Sequence, residues 1–151
     1  FLMSIQEQFY KSIEDGDIEN FNLLMKNKEV NPAEDNNKAI VLASEGGHFD
    51  IVKLLLNDRR VNPSDSNNCS ILVASDIGQF DIVKLLLNDK RVNPTDRSNC
   101  PILFAYQRGH FNVVNLLWQD QRVKDTLKID DIDLYNELIQ KDKVKEKVKV
   151  F

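Results

Sequence analysis

Near copies of one segment recur through this chain at a constant offset of 31 residues. Asp50-Ile51-Val52-Lys53-Leu54-Leu55-Leu56-Asn57-Asp58 returns as Asp81-Ile82-Val83-Lys84-Leu85-Leu86-Leu87-Asn88-Asp89. The triplet Val-Asn-Pro begins at Val30, Val61 and Val92, and Val123 keeps the step after the prolines stop. A period between 20 and 50 residues marks a stack in which each unit buries its apolar face only against its neighbours. The 151 residues therefore read as one continuous array: an N-terminal cap unit 1–29, repeats 30–60, 61–91 and 92–122, and a degenerate C-terminal cap 123–151.

Within one unit, Asn62 precedes proline and is pushed toward extended backbone, and the following Pro63-Ser64-Asp65-Ser66-Asn67-Asn68 is rich in turn formers. An extended loop or short hairpin is expected there. Ser70 to Asp76 reads as a brief helix ended by Gly78, with Gly16, Gly47 and Gly109 as matching stops. A second helix is expected from about Phe80 to Asn88, with Phe80, Val83, Leu86 and Leu87 on one face. Pro101, where other units have Ala39 and Ser70, suits the first turn of a helix. The columns Leu54/Leu85/Leu116, Leu55/Leu86/Leu117 and Ala43/Ala74/Ala105 read as core, and Trp118 as packing against the final cap.

This order of finger, short helix, Gly turn and second helix resembles the ankyrin repeat. The residues that carry the likeness are Ala43-Ser44-Glu45-Gly46-Gly47-His48-Phe49-Asp50-Ile51-Val52-Lys53-Leu54-Leu55 and their copies from Ala74 to Leu86 and Ala105 to Leu117. The unit departs from the family's usual 33 residues and lacks its Thr-Pro-Leu-His, having Cys69-Ser70-Ile71-Leu72 and Cys100-Pro101-Ile102-Leu103 instead. The Asn-rich Val-Asn-Pro variant looks like ankyrin arrays of giant DNA viruses and amoebal protists, which would place a viral copy in host cytoplasm. The fold implied is an all-α solenoid of helix-turn-helix units joined by extended loops or short hairpins.

Reactive residues are few. His48 and His110 hold one repeat position 62 residues apart, too far for joint coordination of a metal, and the resemblance makes them turn residues. Cys69 and Cys100 are one stacking step apart, roughly 8–10 Å for packed helices, beyond the reach of a disulfide. Free thiols fit a reducing cytoplasm. No phosphate loop, nucleophile elbow or His-Glu-x-x-His is present, so no catalytic, metal or cofactor site is expected. The arginine column Arg60/Arg91/Arg122 runs beside Asp58, Asp89 and Asp120, a locally neutralised stripe.

The net charge of -4 argues against general affinity for nucleic acid or anionic membrane. No apolar run spans a bilayer and no secretory leader is readable; a start at Phe1 leaves room for upstream sequence. The Lys-rich stretch from Lys141 to Lys149 reads as a solubilising end helix or tail. Ankyrin arrays typically bind proteins through finger tips and exposed ends of the short helices. Carried over by register, those positions are Glu34, Asp35, Asn37 and Glu45, then Asp65, Ser66, Asn68, Asp76 and Ile77, then Asp96, Arg97, Asn99, Gln107 and Arg108. The expected function is non-enzymatic protein binding, with a basic partner surface on the early repeats. Two alternatives stand beside it: the targeting part of a larger enzyme or ubiquitin-ligase adaptor, and a structural element of a viral or cytoskeletal assembly.

Overall fold

A computed structural model describes the backbone of residues 2–148 and side chains through Lys145, so Lys149 lies outside the described residues. Ten helices follow one another among these residues: α1 (Ile5–Glu14), α2 (Ile18–Leu24), α3 (Glu34–Glu45), α4 (Phe49–Asn57), α5 (Asp65–Ile77), α6 (Phe80–Leu87), α7 (Asp96–Gln107), α8 (Phe111–Trp118), α9 (Gln121–Asp130) and α10 (Ile132–Val148). Each odd helix pairs with the next even one through α8. First helices pack in the order α1, α3, α5, α7, and second helices in the order α2, α4, α6, α8. The result is an all-α stack of paired-helix units with no strand among the described residues.

Of the extended loop or short hairpin expected from the sequence, no hairpin forms, and the loop is confined to residues 58–64. Ser66, Asn67 and Asn68, inside the bounds of α5, instead make one turn of left-handed backbone, with φ of 53°, 57° and 56°, before its right-handed part begins. Asp35-Asn36-Asn37 and Arg97-Ser98-Asn99 do the same. Left-handed residues cost roughly 1–2 kcal/mol each for most side chains, and Asn and Asp, whose short polar groups bond locally, tolerate them best. The Val-Asn-Pro triplet sets up the turn: Asn62 Oδ1 accepts from Ser64 N at 3.2 Å and Ser64 Oγ at 2.7 Å, and Asn62 Nδ2 donates to Asp65 at 2.7 Å.

The turn between paired helices follows the expected glycine logic. Gln79 N reaches back to Ala74 O at 2.8 Å while Gly78 takes φ 82°, and His48 and His110 repeat the bond to Ala43 and Ala105. Gly78 is required twice over, because a Cβ there would also lie 2.6 Å from the His110 ring.

The core is one continuous column. Ile51, Val52 and Leu55 of α4, their counterparts in α6 and α8, and Ala43, Ala74 and Ala105 are all at most 2% exposed. Each buried leucine stabilises by about 1.5–3 kcal/mol. Of Leu54, Leu85 and Leu116, expected in the core, Leu54 is 39% exposed, and the other two are half-buried at the edge of the core and packed against it. At about 100° per residue, Leu54 is turned a quarter of the way round the helix from the Leu55 face. Trp118 is buried against the closing unit as expected, stacked edge-on with Tyr135 and donating from Nε1 to Asp142 at 2.6 Å.

Candidate functional site

Two sets of hydrogen bonds tie each unit to the next and decide which side chains remain free. The first is a ladder of amides along the fingers. Asn37 Oδ1 accepts from Asn62 N at 2.6 Å, and its Nδ2 donates to Asp65 of the following finger. Asn68 repeats this with Asn93 N at 2.7 Å and with Asp96. Gln6, at the same register in α1, accepts from Asn31 N at 2.9 Å and donates to Asn31 O at 2.9 Å. At the far end Asn99 donates to Asp130 at 3.0 Å and accepts from Thr126 at 2.8 Å, both on α9.

The second set is a clamp beside the second helices. Arg60, Arg91 and Arg122 each pair with Asp58, Asp89 and Asp120 at 2.6–2.7 Å. Each also donates from Nη1 to the carbonyl of the preceding Val30, Val61 or Val92, at 3.3, 2.8 and 3.1 Å. Hydrogen bonds from the guanidinium hold the three aspartate carboxyls below their usual range, and the same bonds raise the arginines. The stripe is neutralised, in line with the sequence, and it is also a joint between units.

These ties sort the fourteen expected contact residues. Asn37, Asn68 and Asn99 are at most 4% exposed and engaged inside the stack, so they are corrected from contact positions to structural ones. Their left-handed backbone turns the amide inward, toward the next finger. Asp65 and Asp96 are half-buried as partners of those amides. Asp76 is bound to Arg108 at 3.0 Å across the unit boundary. The remaining residues, Glu34, Asp35, Glu45, Ser66, Ile77, Arg97 and Gln107, are exposed, as is Arg108.

Sequence reasoning passed over an apolar stripe on the first helices. Leu42, Val73 and Phe104 stand at one register, the first two half-buried and Phe104 at 36% exposure. The signal was available: three apolar residues at a 31-residue step, one position before the buried alanines. His48 and His110 do more than hold their own turns. Each ring lies on the glycine of the preceding unit, with Nε2 3.3 Å from Glu14 O and 3.1 Å from Asp76 O, and Gln79 occupies the middle place over Gly47.

Among the described residues no group of three or more His, Cys, Asp or Glu is placed to hold a metal ion, and Cys69 and Cys100 are free and half-buried. No helix of the described residues is long and apolar enough to cross a membrane. A family model described as ankyrin repeats (3 copies) matches residues 9–97, from within α1 to the first residues of α7. No curated protein sequence matches the chain.

Proposed function

Because this chain belongs to the ankyrin-repeat family, we propose that it is a non-catalytic module that holds a partner protein along the finger tips and outward sides of its first helices. The observation that carries this reading is the group Glu34, Asp35 and Glu45. All three are exposed, and none forms an ion pair among the described residues, in contrast to the clamped Asp58, Asp89 and Asp120. Free like charges on one face raise the rate at which a basic surface associates and set its orientation. The half-exposed Leu42, Val73 and Phe104 lie farther along and supply apolar contact for the same segment. Arg97, at the opposite end, favours an acidic terminus on it. The free cysteines agree with a reducing compartment such as the cytoplasm.

The test uses Glu34→Lys together with Glu45→Lys, which leaves the amide ladder and the Asp76–Arg108 bridge intact. Against a partner isolated by affinity capture and identified by mass spectrometry, the pair should weaken binding by about tenfold or more, most of it in association rate. The helical circular dichroism should not change. An unaltered affinity would remove the acidic end of this face from the interface.

A further inference from the structure

On the flank built by the second helices, one pairing is used at every step. Phe49 of α4 lines a groove with Asp81, Lys84 and Leu85 of α6 and with Asn88 at its C-cap, so the phenylalanine register faces the following helix and the leucine register faces the preceding one. Exposure is greatest where that neighbour is missing: Leu23, with no second helix before it among the described residues, is 66% exposed against 39% for Leu54 and half-buried Leu85 and Leu116, and Phe111 is 55% exposed against 39% for Phe49 and a half-buried Phe80.

Beyond α8 the chain leaves the series. α10 carries on as one 17-residue helix where an interior unit would turn at a glycine and lay down a second helix. Tyr106 OH of α7 donates to Glu137 and Trp118 Nε1 of α8 to Asp142, each at 2.6 Å, so α10 is tied to both helices of the preceding pair. Between the two remains an open groove of about 560 Å³, walled by Phe111, Val114 and Asn115 on one side and Leu138, Lys141 and Val144 on the other. In its α8 wall Phe111 holds the register position with which Phe49 of α4 receives α6.

We propose that this groove is a docking site for a single amphipathic helix of a partner protein, with the chemistry of this chain's own second helices. The incoming helix carries a leucine at the register of Leu85 to cover Phe111, over whose ring Lys141 Nζ stands at 5.5 Å. It also carries an acidic residue one turn earlier, as Asp81 precedes Leu85, to meet the rim lysines: Lys145, 3.4 Å from Asn115 Oδ1, and Lys141, 2.6 Å from Glu137. Continuity with the α4, α6, α8 packing series selects a helix over an extended strand. It also selects a lone helix over a second copy, because the one second helix with an open leading flank, α2, is joined to α1. Seating α2 would drive α1 into the place that α10 holds. The groove shares no residue with the finger tips and first-helix positions of the proposed interface, so it adds a second contact.

A helix-stabilised peptide of residues 79–89 of this chain, titrated into the isotope-labelled 151-residue protein, is the probe. Saturable chemical-shift changes confined to α8 and α10 are expected, with a dissociation constant on the order of 1 mM or tighter. Val144→Asp, at an exposed position, should weaken binding about tenfold at an unchanged melting temperature. Phe111→Asp should do the same, and Leu85→Asp in the peptide should abolish binding. Absence of saturable shifts, shifts mapping elsewhere, or no loss with Val144→Asp would overturn the proposal. So would sedimentation showing that the protein dimerises through α8 and α10, which gives the groove to a second copy.

Discussion

In the interior repeats the buried amides of Asn37 and Asn68 meet an aspartate and a backbone N–H of the next left-handed finger, whereas Asn99 meets Thr126 and Asp130 on the ordinary helix α9. The same need, to pair a buried amide, is met by two different backbones. Interior fingers hold three residues each at positive φ, while α9 has none. Strained backbone is thus kept where one finger must both receive an amide and present another. Among the described residues the unit from α9 onward only receives, and there the chain relaxes into a plain helix.

The most severe way to break this contrast is through the core. Leu86→Ala, at a site flanked by units on both sides, should cost about 2–5 kcal/mol in urea unfolding. Leu138→Ala in the closing unit, with no unit described behind it, should cost about 2 kcal/mol or less. Leu85→Ala, on the outer flank, should cost about 1 kcal/mol or less. Equal losses at Leu86 and Leu138 would mean that the two regions do not differ in packing.

The amides sharpen the contrast at smaller scale. Asn68→Ala leaves Asn93 N–H and one oxygen of Asp96 without their partner and puts a methyl side chain, with no polar group to bond locally, into left-handed backbone, a loss of about 2–3 kcal/mol. Asn99→Ala should cost about 1 kcal/mol less, since Thr126 Oγ1 already has a second acceptor in Arg122 O at 2.8 Å and Asp130 is open to water. Amide hydrogen exchange at residue 93 checks the first directly.

The arginine clamps predict equality instead. Asp58, Asp89 and Asp120 titrate lower in the folded chain than in the unfolded one. Their stabilisation is therefore complete above the ordinary carboxylate range and is lost as pH falls through the folded values. The arginines are more than a third exposed, so each pair contributes well under 1 kcal/mol. Asp89→Asn and Asp120→Asn should flatten the acid limb of the melting temperature by the same small amount.

The repeat step, helix pairing, glycine stops, alanine column and arginine stripe were legible in the residues because each depends on local chemistry repeated at a fixed offset. The fingers were not. Asn37 and Asn68 look like surface turn formers, and only the packing of consecutive units reveals that their amides point inward. Leu54 and Leu55 are neighbours of equal hydrophobicity, and the helix phase that separates them depends on tertiary contact. Phe104 and Val73 escaped notice because a polar face was expected where the family binds. In α10 the missing glycine was visible, but not the groove it leaves beside α8.

The ladder joins each finger only to the one directly after it, which makes a whole unit removable without an altered seam. If residues 61–91 were excised, Asn37 would find Asp96 and Asn93 in place of Asp65 and Asn62, and His110 would rest on Gly47 as Gln79 now does. Arg122 would still reach Val92 O. A gene encoding such a chain can grow or shrink by 93 base pairs at a time, the coding length of one 31-residue step, and the folded product would register the change only as a longer or shorter ledge.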